Sequence, residues 1–416
     1  MAGWVRAPPT SQGATRLGGA GSYSGRRLRS RPTIYVLGAA LLLLAALLIV
    51  LALSRTGSKK ATGASWERAR GSSAVFGGNG GRTAINAVVA GGPGLVAVGY
   101  ESPAAAVWTS KNGRSWKRAA KGDPALAGRG INGMSGVAAA GPGLVAVGGG
   151  DIADDWDAAV WMPGNGLSWK RIGAGAAVLG GNGTQLMRGV VAGGPGLVAV
   201  GFDAGDAAVW VSRQGESWQR AGAGDPVFGG EGKQEMNAVT AGGPGLVAVG
   251  SSNGDAVAWT SVDGINWRRT PAGQPALGGA GEQKIFAVTT GGPGLVAVGY
   301  DNGVATVWVS KNGLTWRRAS IAQSDSRRVA VWSEMLGVTV GKPGLVAVGV
   351  VGTGSGGSDA AVWTSKDGLS WKSVPNEGGI FGFEANQAIA GVAVGGPGLV
   401  AVGDDSGRAA VWTSGP

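Results

Sequence analysis

The side chains of this chain that could do chemistry are carboxylates. There is no cysteine and no histidine, which removes thiol nucleophiles, imidazole bases, disulfides and the usual zinc ligands in one step. Twelve of the 25 acidic residues fall at one point of a repeated unit: Glu101, Asp151, Asp154, Asp155, Asp157, Asp203, Asp206, Asp255, Asp301, Asp359, Asp404 and Asp405. Arg408 is the single base among them. The densest group is Asp151-Ile152-Ala153-Asp154-Asp155-Trp156-Asp157. Three readings are open. The acids form a solvated rim, or hard oxygen ligands for a cation such as Ca²⁺, or a docking face for a basic partner. The rim asks for least, and the Asp spacing fits no recognisable calcium loop. Two carboxylates about 5–10 Å apart would also suffice for glycosidic hydrolysis. No cofactor is expected.

The unit that carries these acids contains Gly92-Pro93-Gly94-Leu95-Val96-Ala97-Val98-Gly99, which returns with small changes around Pro142, Pro195, Pro244, Pro293, Pro343 and Pro397. Two Trp series run beside it: Trp108, Trp161, Trp210, Trp259, Trp308, Trp363 and Trp412, and Trp66, Trp116, Trp169, Trp218, Trp267, Trp316 and Trp371. Each unit reads as four strands, here A to D: Ile85–Ala90, Leu95–Gly99, Ala105–Thr109 and Ser115–Arg118 in the first copy. Asn112-Gly113, Asn165-Gly166, Asp263-Gly264, Asn312-Gly313 and Asp367-Gly368 sit between C and D. As two-residue type I′ turns, they would send Trp108 and Trp116 to opposite faces of one sheet. Four antiparallel strands at this period predict a β-propeller blade. The chain begins its repeats with a lone strand D at 64–68 and ends with strands A to C. The fragments add up to one blade. The expected fold is therefore all-β: a seven-bladed propeller of four-stranded blades over 64–416, closed by pairing of the N- and C-terminal strands.

The net charge of +11 comes from the N-terminal end, where residues 1–60 hold nine basic residues and no acid. The remainder is near neutral and shows no nucleic-acid-binding pattern. Residues 1–32 read as a disordered basic tail. Thr33 to Leu53 is uncharged, apolar and long enough to span a membrane. With six Arg before it, the positive-inside rule places the tail in the cytoplasm and the propeller, after a linker at 54–63, outside. A cleaved signal peptide ending near Ala52-Leu53-Ser54 is the competing reading.

The C–D turns, such as Ser110-Lys111-Asn112-Gly113-Arg114-Ser115-Trp116 and Ser365–Trp371, resemble the Asp-box of sialidase-like propellers. They are one residue shorter, with Pro163 for Ser in the second copy and Gln214 for Asp in the third. The resemblance implies architecture rather than activity. A sialidase would need an Arg cluster and a Tyr–Glu pair, and only Tyr100 and Tyr300 lie outside the N-terminal region. The paired Trp read as packing between blades. The bases after the second Trp, among them Arg118, Arg220 and Arg318, read as charges on an exposed outer edge. One D–A connection departs from the rest. Six of them place Phe or Leu ten residues after Trp, whereas the one after Trp316 has Ser326, followed by Arg327, Arg328 and Trp332. With the Asp151–Asp157 loop, these three are the candidate binding residues. The expected role is a non-catalytic extracytoplasmic scaffold for a protein or glycan partner at the outer membrane face. A sialidase-like enzyme using carboxylates is the alternative.

Overall fold

A computed structural model of the chain describes residues 65–415, apart from 72, 78–80, 93, 129, 141–142, 153–154, 165–167, 323–329, 343, 355 and 383–385. The tail, the apolar stretch 33–53 and the linker lie outside the described residues, as do Asp154, Asn165, Gly166, Arg327 and Arg328. Among the described residues no helix is long and apolar enough to cross a membrane.

The repeats fold as antiparallel sheets whose strands follow one another in chain order. The first blade holds Thr83–Gly91, Gly94–Glu101, Ala104–Ser110 and Lys117–Ala119. The set recurs over 132–172, 185–221, 234–269, 283–318 and 333–373. The seventh blade has Gln387–Gly395, Gly398–Asp405 and Arg408–Ser414 and takes its outer strand, Trp66–Arg68, from the other end of the sequence. Trp66 pairs with Ser414 and Arg68 with Trp412. The A strands of neighbouring blades lie against one another all the way round, with Gln387–Gly395 meeting Thr83–Gly91. The described residues thus form a closed seven-bladed propeller with strand A innermost.

Two close backbone approaches explain the glycines of the repeated motif. Each A strand carries a β-bulge at its fourth residue, seen as a register shift between Met187 and Gly189 in the third blade. The strand-B residue facing the bulge is the last glycine of the motif, and at Gly201 a Cβ would run into the Leu186 carbonyl oxygen. At the other end of strand B, Gly194, Gly292 and Gly396 adopt φ of 56°, 55° and 60°. A Cβ there would stand 2.8 Å from the carbonyl oxygens of Asp263, Asp367 and Asn112. The A–B turn of one blade therefore latches onto the C–D turn of the next.

The C–D turns differ from the two-residue hairpins expected. Thr109 pairs with Lys117 and Trp108 with Arg118, leaving residues 111–116 in the loop. Ser110 Oγ accepts a hydrogen bond from Gly113 N at 2.8 Å. Asn112 Oδ1 accepts from Arg114 N at 3.0 Å and Ser115 N at 2.9 Å, and Trp116 Nε1 donates to Gly113 O at 2.7 Å. Asp263, Asn312 and Asp367 cap their turns in the same way. The side-chain oxygen does the work assigned to a second left-handed residue, so only the glycine, Gly113 with φ 74°, is left-handed. The register moves by one residue, and this turns the second Trp to the other face. Trp108 and Trp116 share one core with Val400 and Val402 of the seventh blade.

The first-series indoles are hydrogen-bonded as well as buried. Trp108 Nε1 donates to Val75 O at 2.8 Å, Trp210 to Val178 O at 2.9 Å and Trp412 to Ile380 O at 3.0 Å. The acceptor always precedes the Phe or Leu of the D–A connection, and these residues, Phe76 to Phe381, are buried plugs. The sixth blade is built otherwise. The connection after Trp316 forms a fifth strand, Ser320–Ala322, parallel to Ser370–Ser373, and Ile321 packs against the core of Trp363 and Trp371.

Ring closure rests on Trp66–Arg68. A version of the chain beginning at Gly71 should melt about 5 °C or more below one beginning at Gly57, because it deletes a buried Trp and one strand pairing. Equal melting temperatures would show that the seventh blade stands without its outer strand.

Candidate functional site

Strand D exposes Arg268 and Arg317 at its edge, but the arginine that follows each of them in the strand, and its counterparts in other blades, is not a free edge charge. Register places the second residue after each second-series Trp opposite the first-series Trp, and in five blades it is an arginine whose guanidinium lies over that ring. The distances are 5.1 Å for Arg118 over Trp108, 4.7 Å for Arg220 over Trp210 and 5.2 Å for Arg68 over Trp412. Three of these groups, and Arg318, reach the carboxylate that ends strand B. Arg118 pairs with Glu101 at 3.1 Å, Arg220 with Asp203 at 3.2 Å, Arg318 with Asp301 at 2.6 Å and Arg68 with Asp405 at 2.6 Å. The acidic connections are therefore not an unopposed negative face. Four of their carboxylates neutralise arginines of their own blade.

The Asp151–Asp157 loop is only partly distinctive. Asp151 pairs with Trp156 across the two strands. Asp155 is exposed, and Trp156 and Asp157 are half-buried. Asp157 occupies a repeated position, four residues before the first-series Trp, that Asp206, Asp255 and Asp359 also hold. Burial raises its pKa; Arg171 opposes this and Asp155 adds to it. Among the described residues no group of three or more acids is arranged to hold a metal ion. Trp332 is 39% exposed, and a Cβ on Gly352 would collide with its indole.

A different set of residues emerges when the blades are superposed position by position. Most of strand A repeats closely, but three alternate positions near its start do not. The residues just before the strand are Arg82, Ile131, Thr184, Lys233, Glu282, Trp332 and Asn386. The second residues are Ala84, Gly133, Leu186, Glu235, Lys284, Glu334 and Ala388. The bulge residues are Asn86, Ser135, Arg188, Asn237, Phe286, Leu336 and Ala390. Charged and aromatic side chains concentrate in the third to sixth blades, where small residues at other blades show that the fold does not require them. Loop lengths and the charge of the B–C connections gave no hint of this arc. An alignment of the seven inner strands would have shown it.

The arc is electrostatically organised. Glu235 is 2% exposed and pairs with Lys284, with Lys233 at 3.7 Å and Arg188 at 3.9 Å. Burial alone would raise the Glu235 carboxyl; Lys284, with Arg188 and Lys233 behind it, holds it below the usual range instead. Glu334 is pushed up, by burial first and by Glu282, against the pull of Lys284. Burial also pushes up the Tyr300 phenol, which hydrogen-bonds to Glu282 and feels Glu334 and Glu235. A phenol held protonated is a donor, the opposite of the Tyr nucleophile of sialidase chemistry. Trp332 and Glu282 flank one turn: Asn302 N donates to Glu282 O at 2.7 Å and Ser333 N to Gly303 O at 2.9 Å. Val304 and Val331, both well exposed, adjoin Trp332 along the chain and across this turn.

The Glu235 pairing makes a signed pH prediction. A carboxyl with a lowered folded pKa contributes stability that is complete above its unfolded value, about 4.3, and is lost as pH falls through the folded value. Glu235→Gln should therefore be destabilised relative to wild type at pH 6 and approach it at pH 3. Urea denaturation across this range checks the convergence.

The chain matches no family model, and no curated protein matches it. Among solved structures it is similar to a protein designated a candidate 6-phosphogluconolactonase from Bacteroides uniformis, at 10% identity and TM-score 0.47, covering 73% of this chain and 88% of that one. It is also similar to a periplasmic gluconolactonase of Pseudomonas aeruginosa, at 14% identity and TM-score 0.45, covering 70% and 84%. Sqt1 of Chaetomium thermophilum follows at 12% identity and TM-score 0.44, covering 79% and 82%. At these values the likenesses carry nothing about substrate or partner. None of these three is designated a sialidase.

Proposed function

We propose that the chain is a non-catalytic binding scaffold, held at the outer face of a membrane by residues 33–53, which engages a protein partner with the arc formed by the fourth to sixth blades. The observation that carries this reading is the departure of Lys233, Glu235, Glu282, Lys284, Trp332 and Glu334 from an otherwise repeated inner strand. Side chains the fold does not need, charged and set beside an exposed indole, are the usual composition of a recognition surface. Mixed signs within one arc suit a protein, which can answer both, better than a neutral glycan. Glu235 is occupied by its own lysine and is not poised as a base. Trp332 would serve as the anchor, with Val304 and Val331 beside it.

Photocrosslinking in living cells tests this. A crosslinking amino acid at position 332 or 304 should capture a discrete partner, while one at Asn312, on the C–D turn, should not. Trp332→Ala should lower capture from position 304 at least tenfold with the melting temperature within about 2 °C of wild type. Equal capture from positions 304 and 312, or capture unaffected by Trp332→Ala, would overturn the assignment of this arc.

A further inference from the structure

Among the described residues the arginine–carboxylate pairing on strand D is missing from the second blade, where Ile152 holds the strand-B position and Arg171 Nη1 donates to Asn132 Oδ1 at 3.2 Å, and from the fourth. Glu101, Asp203, Asp301 and Asp405 end strand B in the first, third, fifth and seventh blades, each paired across the B–C turn with the first residue of strand C. The fourth blade has Ser252 at that position, paired with Asp255. Its arginine, Arg269, is in the same place as the others, 5.9 Å above Trp259. It makes no salt bridge among the described residues. Nη2 donates to Ser252 Oγ and Nη1 to Gly229 O at 3.2 Å. In Arg118 and Arg220 the Nε donates to the strand-B carboxylate; Nε of Arg269 has no such acceptor. Burial lowers the pKa of Arg269 with no carboxylate acting to restore it, whereas Glu101 and Asp203 do so for their arginines. Beside the guanidinium lies a cavity of about 70 Å³ lined by Ser252, Arg269, Thr270, Gln274 and Asp255. Ser252 and Thr270 are buried, and Asp255 lies beside Gly278.

We propose that the fourth blade holds a carboxylate-binding pocket, in which Arg269 and Ser252 take from a ligand the carboxylate that four other blades supply themselves. A half-buried guanidinium with a free Nε and an adjacent hydroxyl is a fork matched to a planar carboxylate. The carboxylate is that of a small solute or of an Asp or Glu side chain on a partner; the pocket chemistry is the same for both. The pocket does not depend on the arc assigned above.

Calorimetry on the full chain with sodium acetate, against sodium chloride at equal ionic strength, should show saturable binding with a dissociation constant on the order of 1–10 mM. Ser252→Asp fills the pocket from within. It should weaken acetate binding at least tenfold and raise the melting temperature, so that lost binding cannot be put down to misfolding. Arg269→Gln should abolish binding. The blocked peptide acetyl-Gly-Glu-Gly-amide separates the sources: tenfold tighter binding than acetate assigns a partner side chain, and equal or weaker binding assigns a solute. Absence of saturable acetate binding, or binding that survives Ser252→Asp, would overturn the proposal.

Discussion

An indole buried at the heart of a blade has one N–H to satisfy, and leaving it unpaired would cost more than the bond returns. In six of the blades the acceptor is a carbonyl in the connection arriving from the preceding blade. The next residue on that connection, a Phe or Leu, plugs the same core. One bond thus fixes the path of the D–A connection, seals the blade and couples it to its predecessor. The guanidinium over the indole and the carboxylate beyond it extend the same stack outward. Arginine, rather than lysine, suits a position that must lie flat on a ring and pair at its edge.

This arrangement changes how the charges of the chain are to be understood. Many acids and bases that alternate along the sequence are partners within a blade, joined across strands rather than offered to solvent. The residue set that breaks the repeat lies around the start of the inner strands. The sixth blade breaks the repeat structurally as well, with Ser373 where the other blades have arginine and a parallel fifth strand outside it.

Much of the architecture was legible in the sequence because repetition reports on itself. Trp spacing and the split terminal repeat give the blade count, the strand order and closure through Trp66–Arg68. The turn register was not legible, because Asn-Gly permits either a tight hairpin or a capped loop. The choice is made by the Ser110 and Asn112 side chains and by an indole bond to Gly113 O. Nor was the pairing of Arg118 with Glu101, since the partners are 17 residues apart and meet only once the strands align. The arc is not legible in the spacing for a simpler reason. Glu235, Lys284 and Glu334 replace Ala, Gly or Leu without altering any spacing, so an inspection of loop lengths passes over them.

The pairing of Trp66 with Ser414 joins residues 348 apart (414 − 66), which sets an order on biosynthesis. The entropic cost of so long a closure grows only logarithmically, by about 0.6 kcal/mol per doubling. The constraint is temporal rather than energetic. The segment made first among the strands must wait, unpaired, until the last has left the ribosome, while the intervening blades fold in turn. During that interval Trp66 is an exposed apolar side chain, and any other strand edge in reach competes for it. Short length and the flanking charges Glu67 and Arg68 make the waiting strand a poor partner for anything but its own last blade.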